Sequence, residues 1–517
     1  MKKLLVVFLA VSAPLAAETY DLAVYGATAG GVMTAVAGAR SGLRVVLLEP
    51  GRHVGGMVSG GLGASDFGRK EVIGGYAAEF FRRAGDYYHT GQYGSRESWY
   101  FEPHVAEAIL IQMLDEAHVT LLRGKRMKES GGVTKSGPTI QAIQMEDGSS
   151  YAARVFADCS YEGDLMAQAG VSYTWGRESS QQYGESLAGV RDHTPYHQFL
   201  VPVSAYDSNH KLLPEIYSGS KGEPGAADRK VQAYNFRLCL TQRTDILVPF
   251  PKPAGYDPAR YELLARLIAA LAAHGGRAPE MHQFMNNIAV PNGKTDVNNN
   301  GAFSTDYIGA SWEYPEASYQ RRSEIFQAHV NYTQGFFWFL GHDERVPESL
   351  RQEVNSWGLA GDEFTDSHHW PHQLYIREAR RMTGAFVMTQ KDLQTDLHKA
   401  DSIGKGSYNS DSHNVQRIAT PSGEVENEGD MEVPVTPYEI PYRILLPKRE
   451  QAVNLLTPVC FSASHVAYSS VRMEPQYMIL GQAAGTAAAL AVKKNQAVQD
   501  VDTAELQKIL REQKAIL

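Results

Sequence analysis

Residues 20–50 read YDLAVYGATAGGVMTAVAGARSGLRVVLLEP, and their order decides the fold. An apolar strand runs into a glycine-rich turn, then a helix of small residues, then a second apolar strand that ends in an acid. This order builds a phosphate cradle. Gly26 and Gly30-Gly31 let the backbone turn tightly and approach a pyrophosphate. The helix opening at Thr28-Ala29 points unpaired N–H groups and its positive dipole end at the anion. Ala35 and Ala39 share a helix face with Gly31 and allow close packing on a sheet. Glu49, followed by Pro50, ends the second strand where a ribose diol needs an acceptor. The pattern departs from G-x-G-x-x-G at its second glycine, which is Thr28 here. The Thr28 hydroxyl either donates to a phosphate or crowds it.

Upstream of this unit, Lys2-Lys3 precede LLVVFLAVSAPLAA, an apolar stretch too short for a comfortable membrane span. It reads as a secretory signal over 1–17 with cleavage after Ala17, so the chain is expected to be exported to the periplasm or outside the cell. The 517 residues carry a formal charge of −9, with 43% hydrophobic and 21% charged residues. That describes a globular protein with no electrostatic call for nucleic acid, and no second apolar run could span a membrane. Cys159, Cys239 and Cys460 are the only cysteines, too few for a [4Fe–4S] cluster and spaced unlike a zinc ribbon.

Downstream, helices are expected over about 73–90 and 103–117, a strand over 119–122, and a hairpin-rich stretch from 133 to 157. From 176 to 445 the composition turns to Tyr, Trp, Pro, Asn and His. Simple strand and small-residue helix character returns at 452–492, with a last helix over about 503–515. The expected architecture is α/β: a doubly wound, Rossmann-like domain formed by 18–175 and 446–517, with an α+β substrate domain, 176–445, inserted into it.

The second informative loop is Arg52-His53-Val54-Gly55-Gly56-Met57-Val58-Ser59-Gly60-Gly61-Leu62-Gly63. Two Gly-Gly pairs directly after the ribose-binding acid suit main chain threading along an extended ligand, which a buried flavin requires and a nicotinamide does not. At the far end, residues 472–490 form a helix with a small-residue face, whose N-terminus would stabilise charge on a reduced flavin.

Together these segments resemble the FAD-dependent oxidoreductases of the glutathione-reductase-like superfamily, and more narrowly a secreted bacterial group of them. The resemblance also rests on residues 158–165 (DCSYEGDL), 234–237 (YNFR), 374–381 (LYIREARR) and 462–465 (SASH). It implies FAD as cofactor. It places Asp158 and Asp164 by the pyrophosphate and ribitol, the glycines and Met57 of the 52–63 loop along the cofactor, and Gly481, Gln482 and Ala483 against ring and ribitol. The chain departs from the group at Thr28 and at Thr457-Pro458-Val459-Cys460.

Flavin carries the redox chemistry, so the protein must orient a C–H bond and move a proton. His465 is a candidate proton-transfer or substrate-binding residue. Arg377, Arg380 and Arg381 are expected on one helix, where an arginine would hold a substrate carboxylate or an anionic intermediate. His53 either packs beside the flavin or carries it covalently. Asp296-x-Asn298-x-Asn300-Gly301 starts like a calcium loop but has Tyr307 at the twelfth position, and Pro371 interrupts the His368, His369, His372 cluster, so no metal is expected. The preferred reading is dehydrogenation of a small organic or carbohydrate substrate, with electrons passed to an acceptor that the sequence does not identify. Reduction of a C=C bond, as in fumarate reductases, and a glycan-binding module without redox function are the alternatives.

Overall fold

The computed structural model describes residues 18–89 and 96–517; the expected signal over 1–17 lies outside them. Strand β1 (Glu18–Tyr25) leads through helix α1 (Ala29–Arg40) to β2 (Val45–Glu49), and β1 and β2 pair in parallel with Leu22 opposite Val45. Val45–Leu48 are buried on both faces, as a strand covered by layers on either side must be. Helices α2 (Gly75–Tyr87) and α3 (Pro103–Glu116) precede β3 (Thr120–Arg123), which extends the sheet beyond β2. A hairpin of β4 (Val133–Ser136) and β5 (Thr139–Gln144) leads into β6 (Ser150–Asp158), parallel to β1 on its other side.

The outer edge of β6 is shared. Its first residues pair antiparallel with β5, while Phe156 and Ala157 pair in parallel with the strand Leu455–Leu456 from the far end of the chain. Strands β2 and β6 therefore leave β1 on opposite sides, and the crevice outside their carboxyl ends is where such sheets bind ligands. The loops after β1, β2 and β6 all open there.

The helix Glu474–Lys494 lies against α1 at backbone contact. A Cβ on Gly481 would sit 2.1 Å from the Gly30 carbonyl oxygen, and one on Gly485 would sit 2.2 Å from that of Thr34. Within 176–445 a separate antiparallel sheet orders Met285–Val290, Lys294–Asn299, Cys239–Thr241, Gly358–Ala360 and Leu247–Val248, with the long helix Tyr319–His342 in the same span. Asp296 is in one of these strands and not in a calcium loop.

One helix expectation fails. Residues 374–380 are irregular, with Ile376 N–H turning back onto Leu374 O, so Arg377, Arg380 and Arg381 do not share a helix face. Tertiary pairing overrides local propensity here: Tyr375 N–H donates to Asn235 O, Met382 N–H to Cys460 O, and the three guanidiniums pair with carboxylates on different segments. All three cysteines are free and buried, and no described helix is long and apolar enough to cross a membrane.

Candidate FAD site and adjoining arginine chamber

The turn after β1 is closed by backbone contact. Gly26 has φ +92°, and a Cβ there would lie 2.8 Å from Ser160 N; one on Gly31 would lie 2.0 Å from Gly26 O. Thr28 caps α1 by accepting from Gly31 N–H at 3.1 Å and donates its own proton to Cys159 O at 2.8 Å. Its hydroxyl is thus spent inside the turn and is not a phosphate donor. The amides of Ala29 and Gly30 open the helix, where no intrahelical acceptor exists. Glu49 accepts from Ala27 N–H at 2.7 Å and Gly51 N–H at 2.6 Å, which brings the acid onto the phosphate turn. Burial raises its carboxyl to about 7 against the pull of those two amides. A cavity of about 250 Å³ opens beside Pro50, lined also by Tyr25, Arg126, Ser160 and Glu162. Arg52 is exposed.

From there the glycine loop runs inward. Gly55 N–H donates to Ala27 O, and a Cβ on Gly61 would sit 1.8 Å from Arg237 O. Gly60 lies against Gln373, where a Cβ would approach to 2.5 Å. Gly56 lies against the Tyr161 hydroxyl, which accepts from Met57 N–H at 2.9 Å and donates to Glu474 Oε1 at 2.6 Å. Glu474 and Gln476 occupy the first turn of the 474–494 helix, yet Glu474 Oε2 and both polar atoms of Gln476 are buried without a partner. Orphaned polar groups at a helix N-terminus, beside a loop stripped of side chains, suit the polar edge of a flavin. Burial pushes the Glu474 carboxyl up to about 8, so it is a neutral donor at pH 7.

Several expected cofactor contacts are reassigned. Gln482 accepts from Tyr76 N–H and donates to Gln513, fixing α2 and the C-terminus. Gly481 faces α1 and Ala483 is fully buried in the core. Their N–H groups lie mid-helix, and the free amides are a turn and a half earlier. Asp158 accepts from Ser160 N–H, Ser160 O–H and Met166 N–H, a turn-holding role, and burial raises its carboxyl to about 6. Asp164 is bridged by Arg322 at 2.7 Å and Arg380 at 2.6 Å. His53 is stacked on His372 and held between Glu107 and Asp366, with both ring nitrogens engaged.

The sequence pattern of the family described as FAD dependent oxidoreductase matches residues 21–510. The chain belongs to this family. Its cofactor is FAD, and it is an oxidoreductase. No curated protein matches it. Among solved structures, it is similar to the OxyS anhydrotetracycline hydroxylase from Streptomyces rimosus at 12% identity, over 35% of this chain and 41% of that one, with TM-score 0.22. THI4 from Thermovibrio ammonificans is 15% identical over 31% and 66%, with TM-score 0.24. L-proline dehydrogenase from P. horikoshii is 14% identical over 32% and 59%, with TM-score 0.25. The chain thus spans between 41% and 66% of these three proteins, and at these scores they carry no argument.

Behind the glycine loop of the flavoprotein lies a cluster of buried charge. Arg237 holds Asp296 through Nε at 2.7 Å and Nη2 at 2.8 Å, and Asp296 also accepts from Ala64 N–H. The Tyr375 ring lies beneath two guanidiniums, with Arg377 Cζ at 4.7 Å and Arg472 Cζ at 5.9 Å from its centroid. Arg377 Nη1 donates to Ala233 O and is 3.1 Å from Asp306 Oδ1. Asp306 Oδ2 is 2.7 Å from His413 Nδ1. Burial would raise Asp306, but Arg377 and His413 outweigh it and hold the carboxyl at about 2. Burial and the Arg377 charge push His413 down to about 4. The imidazole is therefore neutral at pH 7. Its Nδ1–H donates to Asp306, which leaves Nε2 as an acceptor.

The expected catalytic residues separate. His465 Nδ1 is 2.7 Å from Glu378, which also pairs with Arg381, while Arg381 reaches Glu178. This is a buried network, joined to His413 through Gln232, which donates to Glu378 and accepts from His413 N–H, and His465 and Arg381 hold Glu378 at about 2 against burial. Arg380 is engaged through Nε with Glu316 and through Nη1 with Asp164 and the Glu162 carbonyl. Of His465, Arg377 and Arg380, Arg377 is the one that lies on Tyr375, and its Nε and Nη2 are buried without a partner. Arg237, Arg472 and Glu474 fall in stretches already singled out in the sequence. Asp306 and His413 belong to no motif, and only folding brings them together.

Proposed function

We propose that this flavoprotein dehydrogenates a small organic or carbohydrate substrate bound between the 52–63 loop, Arg377 and His413. When bound, FAD supplies the two-electron acceptor. The protein's part is to hold the reacting C–H bond against the glycine loop and to take a proton from the adjoining hydroxyl on His413 Nε2. Asp306 fixes the imidazole tautomer and steadies the imidazolium that forms. The observation that carries this reading is the His413–Asp306 pair, a neutral base oriented by a buried carboxylate. The test is anaerobic mixing of the FAD-loaded protein with hydroxylated acids, alcohols and sugars. Flavin bleaching by at least one of them is expected; reoxidation of dithionite-reduced protein by unsaturated acids, with no bleaching by any alcohol, would replace dehydrogenation with C=C reduction. The three buried arginines are the feature that favours that second reading. Export is part of the proposal, on the strength of the lysine pair and apolar run at the N-terminus.

A further inference from the structure

Arg377 is 1% exposed, and its Nε and Nη2 have no hydrogen-bond partner. A guanidinium left half-satisfied in a dry interior costs several hydrogen bonds' worth of desolvation, so a missing acceptor is the simplest account. The same protein shows what shape that acceptor has. Arg237 uses the same edge, Nε and Nη2, to grip both oxygens of Asp296. In Arg377 this edge is vacant while the opposite nitrogen, Nη1, is committed to Ala233 O and Asp306.

The neighbouring segment adds a second orphan. Asn235 Oδ1 is buried without a donor, although its Nδ2 reaches Thr305 and its carbonyl accepts from Tyr375 N–H. Arg377 and Asn235 lie on paired segments, with Tyr375 N–H donating to Asn235 O and Arg377 Nη1 to Ala233 O, and between them they offer two donors in a fork and one acceptor that suits a hydroxyl. Arg472, also over Tyr375, adds positive charge with its own Nε unpartnered.

We infer that Arg377 and Asn235 form an anion subsite, and that the substrate is a small hydroxy acid whose carboxylate sits on the Arg377 Nε–Nη2 edge. This rests on the dehydrogenase reading above and narrows it. A carboxylate fits better than a phosphate. The fork matches two coplanar oxygens, and the Asp306 carboxylate 3.1 Å from Nη1 opposes a dianion.

The test uses the FAD-loaded protein and calorimetric titration with malate, lactate and lactamide, alongside FAD content and the visible spectrum of each variant. Malate or lactate should bind the native protein, and lactamide at least about 30-fold more weakly. Arg377→Met should retain FAD and weaken carboxylate binding about 100-fold, and Arg377→Lys should recover part of it, since lysine keeps the charge without the fork. Equal binding of lactate and lactamide would overturn the inference. So would an Arg377→Met protein that loses FAD or shifts its flavin spectrum while binding lactate normally, because the vacant edge would then belong to the flavin. Arg377-dependent lactate binding with no flavin reduction by any hydroxy acid would support the subsite and overturn dehydrogenation instead.

Discussion

At the diphosphate end of the cleft the protein presents backbone: Gly26, Gly31 and the opening amides of α1, packed so tightly that a single Cβ has no room. At the Tyr375 end it presents side chains: guanidiniums of Arg237, Arg377 and Arg472 held apart by Asp296, Asp306 and an aromatic ring. The first end recognises a ligand part that every member of the family shares, and glycine is the cheapest way to bring main chain close to it. Under the proposed function the second end discriminates, and discrimination needs charge placed in a dry interior where each unpaired group is costly. The difference predicts that damage at the first end removes the cofactor, while damage at the second end spares it.

The harshest way to break the comparison is Gly31→Val. With a Cβ 2.0 Å from Gly26 O the turn must open, and we expect loss of bound FAD together with roughly 3 kcal/mol or more of stability, read from flavin absorbance and thermal unfolding. If Gly31→Val keeps its flavin, the backbone cradle is wrongly placed. At the other end, His413→Gln should retain FAD and slow flavin reduction by substrate about 100- to 1000-fold in stopped-flow. Because the folded imidazole is held at about 4, native kcat/KM should stay level as pH falls through 6.5 and drop only near 4. An acid limb at 6.5 would mean that His413 is not the base.

How far these two ends were legible differs for the same physical reason. A phosphate cradle is local: strand, glycine turn, helix and acid fall within 31 consecutive residues, so the segment 20–50 carries both fold and cofactor. The 52–63 loop was readable for a like reason, since Gly-Gly pairs have few uses beyond close backbone approach. The chamber is not local. Asp306, Arg377 and His413 meet only because 374–380 is not helical and pairs with distant segments, whereas its arginines read as a helix face. Gln482 misled in the opposite way: it lies on the right helix but faces α2.

Two smaller effects sharpen the picture. In the FAD-free protein, Glu474 is neutral because burial holds its carboxyl near 8, above its ordinary 4.5. Its stabilising contribution is full below pH 4.5 and lost as pH rises through 8. Glu474→Gln should flatten that decline by a few kcal/mol at most, measured by denaturant titration at pH 5 and pH 8; an unchanged slope would place the titration elsewhere. Smallest of all, Gln482→Ala should leave FAD affinity within about twofold while costing about 1–2 kcal/mol, since it removes the acceptor for Tyr76 N–H and the donor to Gln513. A large loss of FAD affinity would restore Gln482 to the cofactor contacts.

The central claim is that the 20–50 segment binds the adenosine diphosphate half of FAD, and competitive titration of flavin-free protein with FAD and FMN tests it most directly. FAD should bind with one-to-one stoichiometry and FMN at least about 100-fold more weakly, because FMN brings nothing to Glu49 or to the cavity beside Pro50. Equal affinity for the two flavins would contradict the account.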